Sequence, residues 1–456
     1  MQESMATEAV VLDPPRLRVS ALETTALKAA LWTIVSYGSS QLLRIANSLV
    51  LTRLLLPAAF GEMSLVTTLI VGMTLLSDLG LGPSVIQSKR GDDPHFLNTA
   101  WTLQAGRGLV LWGVALALAY PAARFYHDPT LIKLFPILAL STVITGFNST
   151  GLLSLSRNMS VRRLFAIDFS TQAIAFVVTV GWALWHPTVW ALVIGSLVSS
   201  GFRLALSHHR KVVPGERNRF CMHKPSLNDI MHFGKWIILG TAFYFFASQA
   251  DRLILGNLVS MTVLGIYGIA FQISDVPRSI ITAFSQRVGF PFIAKLTHLP
   301  MDQFRAQFLR YRLYSLSLGA FLLSAMAVWG NLIILKFYPA RYSEASWMIP
   351  VLALGLWHTL LYTTTQPVLF ALGKSSYNAI GNAAYAVAMG VGIPVAFHFY
   401  GLFGAVIAIA AGDLPLYVVT QFGATREGVR PFRQDLQLTA ALLGFLLLDF
   451  TLRKAL

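Results

Sequence analysis

The sequence has almost no cysteine and little charge. Cys221 is the single cysteine among 456 residues, so neither an intramolecular disulfide nor a cluster of thiolate metal ligands can form within the chain. Only 12% of the residues are charged, whereas 55% are hydrophobic. A soluble domain of this length needs far more charge to keep its surface hydrated. The composition therefore excludes an ordinary soluble protein.

Signatures of enzymes are missing as well. The chain contains neither a His-Glu-x-x-His zinc motif nor a Gly-x-Ser-x-Gly nucleophile elbow. Gly373-Lys374-Ser375 resembles the end of a phosphate-binding loop, but Val368 occupies the position where that motif requires its first glycine. We therefore predict no enzymatic activity, no bound metal or cofactor, and no ATP-driven step within this chain.

The sequence contains many long apolar runs. The length of each is close to the roughly twenty residues that are needed to cross a bilayer. Twelve runs are firm predictions, and a thirteenth candidate covers 436–452. The predicted fold is an all-α polytopic membrane protein with two six-helix lobes. Its predicted parts are a disordered cytoplasmic tail (1–24), the two lobes (25–206 and 230–421), a basic cytoplasmic linker (207–229), and a final loop with the extra helix (422–456). The stretch 292–312, where aromatic residues alternate with arginines, is predicted to lie on the inner membrane surface as an amphipathic helix.

The net charge is +15, and the basic residues concentrate in alternate connections between the apolar runs. About twenty Lys and Arg lie on one side of the predicted membrane and about four on the other. This asymmetry predicts a multi-pass membrane protein with a cytoplasmic amino terminus. It also explains the positive charge without a nucleic-acid partner.

Two stretches of the chain, 31–66 and 233–270, align without a gap when the sequence is shifted by about 200 residues. Identical pairs in this alignment are Trp32 with Trp236, Ala46 with Ala250, and Gly61 with Gly265. In the first copy, polar residues recur at three- and four-residue steps and so share one helix face, which continues in the second copy. The repeat predicts two lobes related by a pseudo-two-fold axis and facing a shared aqueous cavity.

Charged residues inside the apolar runs are the main functional candidates, because a charge at mid-bilayer normally faces a cavity or a partner. They are Arg44, Arg107, Arg252, Arg278, Asp78, Asp251, Asp275 and Asp413. Structural ion pairs are the alternative to a functional role. Either Arg44 or Arg107 is expected to pair with Asp78 in that case, and Asp275 and Arg278 lie one helical turn apart.

The neighbours Asp251 and Arg252 are expected to point in different directions, each toward its own partner. Taken together, the charges predict a cavity that is more basic than acidic. Guanidinium groups bind phosphate oxygens well, which predicts an anionic substrate. Four polar residues are candidates for contacts with sugar hydroxyls, or else for hydrogen bonds between helices: Tyr37, Gln41, Asn47 and Tyr244.

Asp413 stands alone in a span rich in alanine, glycine and isoleucine. A solitary carboxylate at mid-membrane is a candidate site for a proton or a metal cation that drives transport. The other candidates for this coupling role are Asp78, Asp251 and Asp275.

Three sequence patterns resemble those of one transporter family. Residues 53–61 (RLLLPAAFG) resemble the R-L-L-x-P-x-x-F-G end of that family's first helix. Residues 77–82 (SDLGLG) resemble the end of its second helix, and residues 251–256 (DRLILG) the start of its second lobe. The family is the polysaccharide-transporter branch of the multidrug/oligosaccharidyl-lipid/polysaccharide exporter superfamily, the Wzx-type flippases.

This resemblance implies a V of two six-helix lobes that works by alternating access. The implied location is the bacterial inner membrane, and the implied substrate is an undecaprenyl-pyrophosphate-linked oligosaccharide. The resemblance implies that this substrate moves from the cytoplasmic to the periplasmic leaflet in exchange for H⁺ or Na⁺, for O-antigen, capsule or exopolysaccharide synthesis. A polysaccharide polymerase and co-polymerase are then the expected partners, and the family's basic cavity maps onto the four arginines named above. One alternative is a cation-coupled multidrug exporter of the same superfamily, which the excess of arginine disfavours. Another is a membrane-embedded glycan polymerase or ligase, which usually needs a large outer loop.

Overall fold

The computed structural model describes residues 38–455, apart from 89, 159, 214–217, 286–288, 290–291, 294–295 and 297–298. The side chains of 87, 233–240, 247 and 455 are not described either. The predicted tail (1–24) and the candidate Tyr37 lie outside the described residues, as does the first part of the amino-terminal apolar run.

The described chain consists of helices and the loops between them. The amino-terminal half holds α1 (38–54), α2 (Pro57–Leu76), α3 (Leu81–Gln87), α4 (Pro94–Phe125), α5 (Leu131–Gly146), α6 (Gly151–Arg157), α7 (Val161–Trp185) and α8 (Trp190–His208). The carboxy-terminal half holds α9 (Lys224–Leu258), α10 (Met261–Ser274), α11 (Val276–Phe284), α12 (Met301–Phe337), α13 (Ala345–Ala371), α14 (Ser376–Ala411), α15 (Leu414–Arg426) and α16 (Phe432–Ala455). We call α1–α8 the N-lobe and α9–α15 the C-lobe; α16 follows the C-lobe.

Within the described residues, eight helical stretches are long and apolar enough to cross a membrane, or nine if the bent pair α5 and α6 counts as one span. The protein is therefore an all-helical, multi-pass membrane protein, as predicted. The number of twelve spans stays a prediction, because length and composition alone do not establish it.

One stretch in that count, Ser376–Arg426, contains a chain reversal at Gly401. This residue has φ 58° and ψ −147°, a conformation that side chains other than hydrogen rarely permit. Glycines along the stretch face residues far away in sequence: Gly381 faces Leu416, Gly412 faces Met389, and Gly423 faces Tyr377. The two halves therefore pack antiparallel, which matches the two separate apolar runs that the sequence predicts there, Tyr377–Phe397 and Leu402–Thr420.

The predicted surface helix at 292–312 is wrong from Met301 onward. Helix α12 begins at Met301 and continues without a break into the apolar run that ends at Phe337. Phe304 and Phe308 are buried in a cluster with Val368 and Ala424, so their apolar rings pack against protein rather than lipid headgroups. The alternation of aromatic and basic residues reflects one covered face of a spanning helix.

Helix α16 is fixed to the C-lobe by a buried ion pair. The Arg312 guanidinium pairs with the Asp435 carboxylate, and both side chains are fully shielded from solvent. Arg312 Nε also donates to Thr364 Oγ1 (3.1 Å), and the Tyr417 hydroxyl donates to Asp435 Oδ2 (2.9 Å). The predicted thirteenth segment is thus a helix that packs along α12.

The two lobes meet where α2 and α10 begin. A Cβ atom on Gly61 would overlap the carbonyl oxygen of Met261, and one on Gly265 would overlap that of Pro57. The sequence repeat that pairs Gly61 with Gly265 also pairs Pro57 with Met261. The contact is therefore reciprocal, as expected across a two-fold axis, and supports the predicted pseudo-symmetry.

Further contacts join the lobes beside this crossing. The Tyr338 hydroxyl of the C-lobe lies 3.2 Å from Ser48 Oγ of the N-lobe. Arg341 Nη2 donates to the carbonyl oxygen of Thr52 over 2.7 Å. We call this end, formed by 48–61, 256–265 and 338–345, the closed end. The opposite end carries the linker between α8 and α9, and we call it the basic end.

Candidate functional site

A cavity of about 500 Å³ lies between the lobes and is lined by α1, α2, α9 and α10. We call it the inter-lobe cavity. Arg44 and Gln41 project into it from α1, and Arg252 and Gln249 from α9. The Arg44 side chain is exposed and donates to Gln41 one turn earlier on the same helix. Among the described residues, no carboxylate forms an ion pair with Arg44.

A second cavity of about 360 Å³ lies inside the C-lobe, bordered by α9, α10, α13 and the α14 hairpin. We call it the C-lobe cavity. Asp413 lines it at the break between α14 and α15, where Thr359 donates to Oδ2. Asp413 Oδ1 is buried without a hydrogen-bond partner among the described residues. Arg278, which also lines this cavity, is paired with Asp275 one turn away.

Asp251 and Arg252 do not have entirely separate partners, contrary to the prediction. Arg252 Nη1 lies 3.6 Å from Asp251 Oδ1, so the two opposite charges attract each other. Each also has a contact of its own. Tyr267 donates to Asp251 Oδ2 (2.5 Å), and the Arg252 guanidinium lies 4.9 Å from the centre of the Phe271 ring.

A third cavity of about 340 Å³ lies in the N-lobe and holds Arg107 and Asp78. Arg107 Nη1 lies 3.9 Å from Asp78 Oδ1. The same guanidinium also donates two hydrogen bonds, from Nε to Ser77 Oγ (3.0 Å) and from Nη2 to the Thr74 carbonyl oxygen. Of the two interpretations left open for this arginine, the geometry favours the structural ion pair. Arg107 is thus separated from the other three arginines.

The positive charge is less uniform than predicted. In the described part of the chain, the inter-lobe cavity is lined by two arginines, Arg44 and Arg252, and one aspartate, Asp275. The C-lobe cavity has the opposite balance, with three aspartates and two arginines. The excess of arginine predicted for the space between the lobes is thus found in the inter-lobe cavity, whereas the acidic C-lobe cavity was not predicted from the sequence.

The remaining predicted residues lie in different parts of the structure. Tyr244 lines the C-lobe cavity. Asn47 lies on α1 near the closed end, and its Oδ1 is buried without a hydrogen-bond partner in the described structure. Sequence reasoning placed Ser248 on the repeated polar face but missed four other polar residues of the C-lobe cavity, namely Thr359, Tyr362, Asn382 and Tyr385. These four lie outside the two repeated stretches, so only their common position in space identifies them.

Comparisons with known proteins agree with this architecture. The family model described as "Polysaccharide biosynthesis protein" matches residues 50–361. The lipopolysaccharide biosynthesis protein WzxC of Escherichia coli (strain K12) is 25% identical over 347 residues, which cover 75% of this chain and 67% of WzxC. The amylovoran biosynthesis protein AmsL of Erwinia amylovora is 22% identical, with 59% of this chain and 68% of AmsL covered. The teichuronic acid biosynthesis protein TuaB of Bacillus subtilis (strain 168) is also 22% identical, but only 55% of its length is covered.

Solved structures show the same fold. The lipid II flippase MurJ in an inward closed conformation superposes with a TM-score of 0.70 at 11% identity, covering 93% of each chain. A multidrug resistance MATE family transporter of the MOP superfamily, in an inward-facing conformation, superposes with a TM-score of 0.65 at 14% identity, covering 86% of this chain and 95% of that one. At these identities the likeness establishes the fold alone.

Proposed function

The chain belongs to the polysaccharide biosynthesis protein family, whose model matches most of its length, and we propose that it carries a lipid-linked oligosaccharide across the bacterial inner membrane. It is a Wzx-type member of the exporter superfamily and a transporter of polysaccharide precursors rather than an enzyme. The proposed substrate is an oligosaccharide on undecaprenyl pyrophosphate, for a surface or secreted polysaccharide.

The main observation in support of this proposal is the environment of Arg44. It is exposed in the inter-lobe cavity, and none of the described carboxylates pairs with it, so its guanidinium is available for an oxyanion. A pyrophosphate can accept two parallel hydrogen bonds from such a planar group. Arg252 lies in the same cavity as a second cationic group. In this arrangement, the glycan would occupy the cavity and the lipid tail would extend into the bilayer between the lobes.

The charge asymmetry of the loops supports an orientation with the basic end in the cytoplasm. The closed end then faces the periplasm, and the amino terminus is cytoplasmic. The structure corresponds in this orientation to a state with the outer side sealed. A substrate from the cytoplasmic leaflet would enter before the closed end separates.

Coupling to H⁺ or Na⁺ is the second part of the proposal. A buried carboxylate oxygen without a partner favours a cation, and Asp251 and Asp413 each offer one to the C-lobe cavity. Asp275 is engaged with Arg278, and Asp78 with Arg107. The aspartates of the C-lobe cavity therefore rank above Asp78 as coupling groups.

The test replaces Arg44 with glutamine in the full-length protein. Loss of a charged hydrogen-bond donor should weaken binding of undecaprenyl pyrophosphate by about tenfold or more, measured on purified protein in lipid nanodiscs. Polysaccharide export by a complemented deletion strain should fall at unchanged protein abundance. Arg53→Gln is the matched control, because Arg53 lies on the same helix, is exposed and does not line the cavity. Equal binding by wild type and Arg44→Gln would contradict the proposal.

A cation-coupled multidrug exporter is the second candidate. The C-lobe cavity favours it, since Tyr244, Tyr362, Tyr385 and an excess of aspartate would suit a cationic aromatic compound. A deletion strain that becomes sensitive to cationic drugs while making normal polysaccharide would support this alternative over the flippase.

A further inference from the structure

Four residues form a wall between the inter-lobe cavity and the C-lobe cavity. They line both spaces and are Gln249, Arg252, Phe271 and Asp275. Arg252 is the one cation in this wall, and its neighbour Asp251 lines the C-lobe cavity only. The guanidinium therefore lies between a space with an excess of positive charge and a space with an excess of negative charge.

The contacts that hold Arg252 are weak ones. Its distance of 3.6 Å to Asp251 Oδ1 exceeds the range of a charged hydrogen bond, so their attraction is purely electrostatic. Arg252 Nη1 donates to Gln249 Oε1 over 3.2 Å, and the guanidinium lies against the face of Phe271. These contacts keep Arg252 in place without the bidentate geometry that would fix it to a carboxylate.

Asp251 has one carboxylate oxygen available to bind a second cation. Only 3% of the residue is exposed, and the Tyr267 hydroxyl occupies its Oδ2. Its Oδ1 has no hydrogen-bond partner among the described residues. Asp413, 6% exposed, lines the same cavity and has another such oxygen among the described residues. Two buried carboxylate oxygens that lack donors make this cavity favourable for a small cation.

We propose that Arg252 couples the two cavities by changing its partner. This inference rests on the proposed function. A monovalent cation that enters the C-lobe cavity binds Asp251 Oδ1 and cancels its attraction for Arg252. The released guanidinium turns into the inter-lobe cavity and joins Arg44 as a ligand of the pyrophosphate.

By thermodynamic linkage, the anion in the inter-lobe cavity and the cation in the C-lobe cavity must strengthen each other's binding. An anion that draws Arg252 into the inter-lobe cavity leaves Asp251 uncompensated, so the cation must bind more tightly by the same factor. Couplings of this kind usually change affinity by about 5- to 150-fold. The other titratable or charged groups around the C-lobe cavity are Tyr244, Tyr267, Asp275, Arg278, Tyr362, Tyr385 and Asp413. Asp275 and Arg278 neutralise each other, which leaves Asp251 and Asp413 to attract the cation.

The experiment measures the Kd of undecaprenyl pyrophosphate for the full-length protein in lipid nanodiscs. Sodium is exchanged for choline at constant ionic strength, and each condition is repeated at an acidic and an alkaline pH. The wild type should bind at least about fivefold more tightly with the coupling cation. A sodium effect identifies Na⁺, whereas a pH effect in choline identifies H⁺.

Two variants separate this mechanism from simple cation binding. Asp251→Asn should bind the lipid tightly without any cation, because Arg252 is already released. Phe271→Leu removes the aromatic face that holds Arg252 without changing charge, and should raise the cation-free affinity and reduce the cation effect. Asp449→Asn should retain the wild-type response, because Asp449 contacts Ser324 outside both cavities.

These measurements distinguish a protein in which Arg252 does not change its partner from one that is not a flippase. A wild type whose Kd is the same in every condition, yet still depends on Arg44, overturns the coupling and leaves the flippase intact. Asp251→Asn and Phe271→Leu proteins that respond to the cation as the wild type does overturn it as well. A wild type that does not bind the lipid in any condition rejects the proposed function itself.

Discussion

At the scale of single residues, the buried pair of Arg312 and Asp435 is the most demanding interaction in the described structure. Both groups are removed from solvent, which costs several kcal/mol for each ion unless hydrogen bonds compensate. Arg312 donates such hydrogen bonds to Thr364 Oγ1 and, over 2.9 Å, to the Leu361 carbonyl oxygen. The pair therefore depends on the close fit of α12, α13 and α16.

We predict that Arg312→Met destabilises the protein by about 3–5 kcal/mol, because Asp435 is left charged and buried. The double variant Arg312→Met with Asp435→Leu should recover most of that loss, since two apolar side chains can replace a buried ion pair at little cost. The thermal unfolding midpoint in detergent measures both. A double variant as unstable as the single one would show that packing, rather than uncompensated charge, dominates.

Sequence reasoning found the arginines of the cavities but missed Arg312, and the difference has a physical reason. Arg44, Arg107, Arg252 and Arg278 each interrupt an apolar run, so their cost in a bilayer is visible in the sequence. Arg312 ends a cluster with Arg305 and Arg310, where a solvated position is the natural expectation. Only the approach of Asp435, 123 residues later, reveals that it is buried.

At the scale of helices, the crossing of α2 and α10 depends on glycine. The repeat predicted that Gly61 and Gly265 are equivalent, but their mutual contact is a property of the assembled lobes. At both positions a methyl group would overlap a backbone oxygen of the other helix, and backbone atoms cannot move aside as a flexible side chain can.

We predict that Gly265→Ala lowers stability by about 1–3 kcal/mol, the usual cost of overpacking. Gly268→Ala is the matched control on the same helix and in the same cavity, and a Cβ there meets nothing within 4 Å. Its better helix propensity should stabilise the protein by up to about 1 kcal/mol. The two midpoints of thermal unfolding should therefore move in opposite directions; a shift of the same sign and size would refute the close crossing.

At the scale of the molecule, hydropathy and the repeat predicted the helices and the two lobes. The charges predicted one shared cavity, whereas the described charged candidates line three separate cavities. Charge counts cannot show which of several helices face the same space. Asp413 and Arg44 are both solitary in the sequence, and only the fold assigns one to the C-lobe cavity and the other to the inter-lobe cavity.

Three buried tyrosines lie at or beside the closed end. Burial raises the pKa of Tyr126 to about 12, and it also raises the pKa values of Tyr338 and Tyr342 above that of a free phenol. Tyr126 packs against Gly256 across the lobes, with 3.3 Å from its ring to a Cβ placed there. These phenols therefore remain neutral at physiological pH.

If transport requires the closed end to separate, a covalent link across it should stop transport. We predict this for Ser48→Cys with Tyr338→Cys in a Cys221→Ser background, joined by a reducible bifunctional thiosulfonate reagent. The native side chains are 3.2 Å apart at their hydroxyls and belong to different lobes, so a reagent of roughly the length of the lost tyrosine ring can span them. Polysaccharide precursor transport in proteoliposomes should fall to background and return after reduction.

The control link joins Gln366→Cys to Asn378→Cys, whose native side chains hydrogen-bond within the C-lobe. Linking them should leave transport close to that of the unlinked protein, because a lobe that moves as one body loses no motion. Continued transport with the lobes linked at 48 and 338 would mean that the substrate crosses without separation of the closed end. In that case the reciprocal crossing of α2 and α10 would be a permanent joint of the fold rather than the outer seal of a transport cycle.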